Sequence, residues 1–399
     1  MNIDFSNRKA LVRVDFNVPL SNGTITDDTR MQAALPTIEH ILNEGGSVIL
    51  MSHLGRPQKK TKDDGSLDVD AFTMRQLVPH LSELLGREVE FASDVAGDDS
   101  RAKAAALQPG EVLLIENTRF EAGEGKGDAE LAKRMADLAD VYVNDAFGTA
   151  HRAHASTTTV AEYFGDGDKT FGLLLRDELK NAQRIIDEPT SPYVAIVGGA
   201  KVSDKIGLIE QLLTKVDKVI IGGGMAYTFF KAQGGDIGDS LVEMDKLDMA
   251  NLVLKKAAER HVEIYLPKDS IIANAFAADA DTDTALSHQI PDGWMGLDIG
   301  EQARADYRAV LSDAKTILWN GPMGVFEMEA FSHGTSAVAH AVAEATQNGA
   351  YSLIGGGDSV AAINKNNLAD QVSYVSTGGG AMLELLEGKE LPGVKAIRG

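Results

Sequence analysis

Two lysines four residues apart, Lys201 and Lys205, stand just beyond an apolar run and a glycine pair in Val194-Ala-Ile-Val-Gly-Gly-Ala-Lys-Val-Ser-Asp-Lys205. The pattern predicts a buried strand over 194–197, a turn at Gly198 and Gly199, and a helix opening near Ala200. A helix start exposes unpaired backbone N–H groups and a partial positive charge, so it favours anions. Glycine lets a ligand oxygen come close to the backbone. Residues four apart share one face of a helix, so both ammonium groups would overhang that N-terminus. This is phosphate chemistry. A strand–turn–helix junction carrying two surface lysines has the same pattern, and this stretch alone leaves both readings open.

A second set of residues lies in the first half. Arg13 and Asp15 flank the end of a strand expected over 9–14. His53 and Arg56 follow one over 47–51, and Arg119 follows one over 111–115. The stretch Val141-Tyr-Val-Asn-Asp-Ala-Phe-Gly-Thr-Ala-His-Arg-Ala-His154 adds His151, Arg152 and His154. In open parallel sheets, ligands bind beyond the carboxyl ends of the strands. Cationic and imidazole side chains gathered at those ends, in a strongly acidic chain, read as one anion pocket rather than as separate solvated charges. His151 and His154 have no carboxylate or third histidine at zinc-ligand spacing, so no zinc site is expected.

The elements that would hold these groups alternate. After a turn at 21–24, a helix is expected from about residue 28, with Asp27 or Asp28 as N-cap and Met31, Leu35, Ile38 and Leu42 at helical spacing. Further helices are expected near 73–85, 100–106 and 129–138, with a strand at 89–91. The strands are wholly apolar rather than alternating, which marks a sheet covered on both faces. Strand–helix alternation predicts a parallel α/β arrangement. A helix over 170–186, stopped by Glu188-Pro-Thr-Ser-Pro192, reads as a connector between two domains. Beyond it, strand–glycine turns recur at Val219-Ile-Ile-Gly-Gly-Gly-Met225, Tyr351-Ser-Leu-Ile-Gly-Gly-Gly-Asp-Ser359 and Tyr374-Val-Ser-Thr-Gly-Gly-Gly-Ala381. More strands are expected at 262–266 and in Thr316-Ile-Leu-Trp-Asn320, and the alanine- and aspartate-rich segment 273–284 reads as a loop. Several glycine turns on one sheet, with Asp358 and two lysines, point to a polyphosphate held mainly by backbone.

Composition narrows the partners. The 399 residues, 44% hydrophobic and 24% charged, suit a globular protein of two or more domains. A formal net charge of −21 argues against a nucleic-acid or anionic-membrane surface. With no cysteine, disulfides, thiolate metal sites and thiol catalysis are excluded. No apolar run approaches the roughly 18 residues of a membrane span, and residues 1–6 lack the basic and apolar regions of a signal peptide. The expectation is a cytoplasmic protein acting on small molecules.

Neither the Walker A pattern, the dinucleotide fingerprint nor the protein-kinase set is present at these junctions. The leading class is therefore a nucleotide-dependent phosphotransferase outside those families. An NAD-dependent dehydrogenase and a non-catalytic nucleotide-binding protein are the alternatives.

Seven stretches together carry a closer likeness. Leu11-Val-Arg-Val-Asp-Phe-Asn-Val-Pro19, Ser52-His-Leu-Gly-Arg-Pro57, Asn117-Thr-Arg-Phe120, Asn144-Asp-Ala-Phe-Gly-Thr-Ala-His-Arg-Ala-His154, Gly198-Gly-Ala-Lys-Val-Ser-Asp-Lys205, Trp319-Asn-Gly-Pro322 and Gly355-Gly-Gly-Asp-Ser359 resemble, in order, the phosphoglycerate kinase family. Ser359 stands where that family usually has threonine, and Thr118 where an aliphatic residue is common. The resemblance implies an α/β fold of two Rossmann-like domains with parallel-sheet cores: an N-terminal 3-phosphoglycerate domain over 1–169, an interdomain helix over 170–189, a nucleotide domain over 190–380, and a tail over 381–399 returning to the first domain. It implies a hinge-bending monomer that moves a phosphoryl group between 1,3-bisphosphoglycerate and MgADP, giving 3-phosphoglycerate and MgATP. Asp15, Phe16, Asn17, Arg30, His53, Leu54, Gly55, Arg56, Arg119 and Arg152 would take the glycerate. By the residues alone, Arg30 is only a solvated side chain on the first helix. Lys205, Gly223, Gly224, Gly296, Leu297, Asn320, Pro322, Glu327, Gly356, Gly357, Asp358 and Ser359 would take the nucleotide, with Asp358 on Mg²⁺. Arg30, Lys201 and the N–H groups at Gly378, Gly379 and Gly380 would neutralise the transferring phosphoryl.

Overall fold

Successive residues of a strand point to opposite faces of its sheet, so a strand covered on both sides must be apolar throughout. The computed structural model, which describes residues 1, 3–21 and 23–399, has this character in both of its compact units, Met1–Leu179 with Glu390–Gly399 and Lys180–Lys389. Asn22, in the turn expected at 21–24, lies outside the described residues; Leu20–Ser21 and Thr24–Ile25 beside it pair antiparallel.

The first unit is built on six parallel strands: β1 (Lys9–Arg13), β2 (Ser47–Met51), β3 (Val89–Phe91), β4 (Val112–Leu114), β5 (Val141–Asn144) and β6 (Lys169–Phe171), in the order β3-β4-β2-β1-β5-β6. Ala10, Val12, Val48 and Leu50 face one core, with Met31, Ile38 and Ile41 of the helix Thr29–Asn43. Leu11, Ile49, Met51 and Tyr142 face the other, with Leu131 and Met135 of the helix Ala129–Ala136. The central position of β1 puts the ends of β1, β2 and β5 side by side.

The connector differs from expectation at its start. Residues 169–171 extend the sheet as β6, and the helix begins only at Leu173, running to Asp187. Gly172 lies between them, packed against the Asp145 carboxyl so closely that a side chain there would collide with it. Asp145 is wholly buried beneath the start of this helix and accepts from the Leu175 N–H at 3.2 Å. Thr37 on the first helix joins the same cluster, accepting from the Leu173 N–H at 2.8 Å.

The second unit has its own six-stranded parallel sheet. Its strands are β7 (Tyr193–Val197), β8 (Lys218–Ile221), β9 (Glu263–Tyr265), β13 (Thr316–Asn320), β14 (Tyr351–Gly355) and β15 (Tyr374–Val375), ordered β9-β8-β7-β13-β14-β15. Trp319, Ile196 and Ile220 contribute to its main core. Most of the segment expected as a loop over 273–284, residues 274–281, is one, and only its ends are strand. β10 (Asp269–Ala273) pairs antiparallel with β11 (Thr282–Leu286) and with β12 (Met295–Ile299), forming a separate three-stranded sheet. β11 is mostly polar and exposed along almost its whole length, so no apolar run marks it. The helix expected to open near Ala200 begins at Ile206. The tail expected over 381–399 is divided: the helix Gly380–Leu386 packs on Ile206–Leu212 in the second unit, while the helix Pro392–Arg398 belongs to the first. There Gly393 donates to the Ala150 carbonyl at 2.8 Å. No described helix is long and apolar enough to cross a membrane.

Burial pushes the Asp145 carboxyl up from 3.8 to about 7, more than its hydrogen bonds to Thr37, Leu175 and Leu174 pull it down. Folding therefore takes up a proton between those pH values. The stability this carboxyl contributes is complete below about pH 3.8 and lost as pH rises through about 7. Asp145→Asn, a neutral isostere, is expected to raise the unfolding midpoint by roughly 10 °C at pH 8 and to leave it unchanged near pH 4, read by calorimetry. An unchanged or lower midpoint at pH 8 would contradict the assignment.

Candidate functional site

In the first unit, the functional side chains arise at the carboxyl ends of β1, β2, β4 and β5. Asp15, Phe16 and Asn17 leave β1 and are tied to the segment after β2: Phe16 donates its N–H to Ser52 Oγ at 2.8 Å, and Gly55 donates to Asn17 Oδ1 at 2.8 Å. Asn117, after β4, clamps the same segment, donating to the Leu54 carbonyl at 2.8 Å and accepting from the Leu54 N–H at 3.2 Å. Its Oδ1 also accepts from the Arg119 N–H, and the Arg119 guanidinium donates to the Gly55 carbonyl. Two loops are thereby set as one surface.

Arg30 reaches this surface from the first helix. It donates to the Asn17 carbonyl at 3.0 Å and pairs with Asp15 at 3.3 Å, with 40% of its side chain still exposed. Far from being a solvated helix residue, it belongs to the cluster. Arg119 is half-buried, and its pKa is lowered by burial and by the neighbouring Arg13 and Arg56 charges. His53 is almost wholly buried. Burial first, then the charges of Arg13, Arg119 and Arg30, hold it well below the ordinary imidazole value, so it is neutral at pH 7. Arg56 and Arg152 are exposed at the edge, and His154 lies in the field of Arg13, Arg119 and Arg152. Crowded cations that depress one another's pKa are stable only if anions join them. Apart from Asp15, the carboxylate in this field is the buried Glu124, bound to Ser156. Sequence reading marked Arg13 only as a strand-end cation and passed over Glu124 and Ser156. The available signal was a charged residue inside an otherwise apolar strand.

In the second unit, three glycine turns meet beyond β7, β8 and β13. Gly198 donates to the Asn320 carbonyl at 2.9 Å, Gly199 to Pro322 at 3.1 Å, and Gly223 to Met323 at 3.0 Å. Gly223 takes φ +71° and faces the Gly199 backbone so closely that no Cβ would fit. These turns border a cavity of about 500 Å³ whose lining includes Gly224, Gly296, Leu297, Pro322, Glu327 and Asp358. Gly296 and Leu297 come from β12, in the small antiparallel sheet. The buried Tyr227 packs against Gly296 and donates to Ser270 Oγ at 2.8 Å. Tyr227, Leu241 and Phe276 also line the cavity and were missed. Phe276, 62% exposed in a polar connection, was the detectable one.

The lysines do not share a helix face. Lys201 is exposed on the loop, and Lys205 is the N-cap just before the helix. This loop is held by Glu243, which accepts from both the Ser203 N–H (3.0 Å) and hydroxyl (2.5 Å). Lys205 turns inward and donates to Asn320 Oδ1. Burial lowers its pKa, while Asp358, Asp204 and Glu387 push the other way. Asp358 lies in the first turn of the helix Gly357–Lys365, preceded by Gly356 at φ +88°. Ser359 is buried, and its hydroxyl accepts from the Gly321 N–H at 2.6 Å, so it supports the turn. Of the three glycine N–H groups expected to face a phosphoryl group, that of Gly378 already donates to Ser376 Oγ at 3.0 Å. Gly379 and Gly380 open the next helix. Among the described residues, no group of three or more His, Asp or Glu could hold a metal unaided.

Comparison with known proteins agrees with this geometry. The family model for phosphoglycerate kinase matches residues 1–389. Curated phosphoglycerate kinases include one from Porphyromonas gingivalis, 52% identical over 99% of both chains, and one from Nostoc punctiforme, 54% identical over 99% of this chain and 96% of the relative. Among solved structures, that of phosphoglycerate kinase from Coxiella burnetii superimposes with a TM-score of 0.88 at 45% identity, covering 100% of this chain and 97% of the other. The enzyme from Pyrococcus horikoshii gives 0.83 at 32% identity with the same coverage. Two parallel-sheet units, an arginine-rich surface on one and a glycine-walled cavity on the other, thus occur in a chain that, over nearly its whole length, belongs to the phosphoglycerate kinase family of phosphotransferases.

Proposed function

We propose that the chain transfers a phosphoryl group reversibly between 1,3-bisphosphoglycerate and ADP, giving 3-phosphoglycerate and ATP, as a single chain. The observation that carries this is the convergence of Arg30, His53, Arg56 and Arg119 on one edge of the first unit, against a protein of net charge −21. Asp15 and Asn17 would receive the glycerate hydroxyl and carboxyl end, and Arg152 would close the set from its exposed loop. The cavity of the second unit would take ADP. Gly223, Gly224, Gly296 and Leu297 would flank the base, Glu327 the ribose, and Lys205 with the Gly356 and Gly357 turn the phosphates.

A magnesium ion fits this donor set. Mg²⁺ keeps several waters and binds through one or two carboxylates plus phosphate oxygens, and Asp358, near Lys205, is such a carboxylate. Bound there, it would neutralise phosphate charge. The chemistry asks no proton acceptor of the protein. A β-phosphate oxygen of ADP forms the new P–O bond, the acyl-phosphate P–O bond breaks, and a carboxylate leaves, both partners being anions at neutral pH. What remains is alignment and charge balance on the moving phosphoryl, the part assigned to Arg30 and Lys201. Gly379 and Gly380 would add N–H groups.

A coupled assay with ATP and 3-phosphoglycerate tests the activity; no transfer, or NADH turnover instead, would overturn it. In that assay Arg30→Ala and Lys201→Ala are each expected to lower kcat by about 10²–10³, with nucleotide KM changed far less. Full rate in both variants would refute the charge-balancing role. Gly296→Ala puts a methyl against the Tyr227 hydroxyl and is expected to raise the KM for ATP about 10-fold or more, leaving that for 3-phosphoglycerate unchanged. Because each substrate has its own unit, transfer needs the units to close together. Small-angle scattering should register compaction when both substrates are added, and constant dimensions would argue against closure.

A further inference from the structure

Arg13 has an unusual position for a charge. It ends the central strand β1, pairs in register with Met51 of β2 and Asn144 of β5, and is entirely buried. A guanidinium is always protonated and has donors only. Each of its three directions is used: Nε donates to Ser156 Oγ at 2.8 Å, Nη1 to the Val14 carbonyl, and Nη2 lies 3.2 Å from Nδ1 of His53. Ser156 passes its own hydrogen to Glu124, whose other oxygen accepts from the Ser156 N–H at 3.0 Å. Arg13 therefore donates in two directions, through Ser156 to the buried carboxylate of Glu124 and toward the imidazole of His53.

A donor-only group facing Nδ1 requires a lone pair there. The ring proton must then sit on Nε2. Protonating Nδ1 would set two N–H groups head to head. The other charges facing His53 act the same way: Arg119, Arg30 and His154 surround it, against Asp15, paired with Arg30, and Glu124, bound to Ser156. We propose that Arg13, held by Ser156 and Glu124, is a positioning residue that fixes His53 as the neutral Nε2–H tautomer, so that the imidazole meets a substrate phosphate or carboxylate oxygen as a hydrogen-bond donor whose state does not change across neutral pH. The substrate part rests on the glycerate reading of this pocket; the tautomer does not.

The test uses the full chain without ligand, followed by proton–nitrogen NMR of its histidines, and then kinetics. In the wild-type protein, His53 should show a pyridine-like Nδ1, a protonated Nε2, and no titration between about pH 5.5 and 8.5. In Arg13→Met, Nδ1 loses the donor that faces it, and His53 should show a mixture of the two neutral tautomers in place of Nε2–H alone. The KM for 3-phosphoglycerate should rise about 10-fold, with the KM for ATP unchanged. Should that variant not fold, Ser156→Ala removes only the relay and should give a smaller shift of the same sign. A wild-type His53 that titrates above pH 6, or carries its proton on Nδ1, overturns the proposal. An intact tautomer in a protein inert toward 3-phosphoglycerate would sink the glycerate reading instead.

Discussion

Phosphate groups are repelled by a protein of net charge −21, so everything in the first unit depends on keeping a few guanidinium groups close together. Left alone, Arg13, Arg30, Arg56 and Arg119 would repel one another. The fold resists this with neutral hydrogen-bond acceptors, as at Gly55 and Asn17 for Arg119 and Arg30, and with a buried carboxylate reached through Ser156. Carbonyl acceptors fix direction without cancelling charge. The pocket thus stays electropositive locally, and the long-range field, screened within about 8–10 Å at ordinary salt, matters less than the contacts.

The second unit meets the same repulsion differently. Its glycine turns bring backbone N–H groups to the ends of β7, β8 and β13, and dipoles carry no net charge to be balanced. Lys205 is drawn inside, where burial lowers its pKa and Asp358, Asp204 and Glu387 oppose that shift. Both units place their chemistry at the carboxyl ends of central strands, because parallel order puts every loop of one type on one edge.

That geometric rule is why so much was legible beforehand. Apolar runs and glycine turns marked the strands, and strand ends located Asp15, His53, Arg56 and Arg119 without any model of their contacts. Errors fell where local pattern competes with tertiary context. Lys201 and Lys205 have helical spacing, yet Gly198 and Gly199 and the Glu243–Ser203 clamp keep the chain in a loop until Ile206. Residues 169–171 resemble the start of the following helix, but pairing with β5 makes them a strand. Arg30 came only from family resemblance, since nothing in a helix's spacing tells which exposed arginine a loop carbonyl will capture. Arg13 was visible as a cation and invisible as a buried one, because its burial depends on Ser156 and Glu124, more than a hundred residues away.

The buried titratable groups follow one logic. His53 is kept neutral by burial and by cations, and below about pH 6.5 the unfolded chain gains a proton that the folded ring refuses, so the contribution falls as pH drops. Asp145 and Asp298, each pushed up to about 7 by burial, work with the opposite sign: their contribution is complete below 3.8 and declines as pH rises through about 7. Stability is thus restrained from both sides near neutrality by groups outside the transferring charges. The guanidinium charges of the anion site do not titrate in this range. The pH dependence of the fold near neutrality is thus carried by buried groups such as Asp145, while the guanidinium charge at the anion site stays constant.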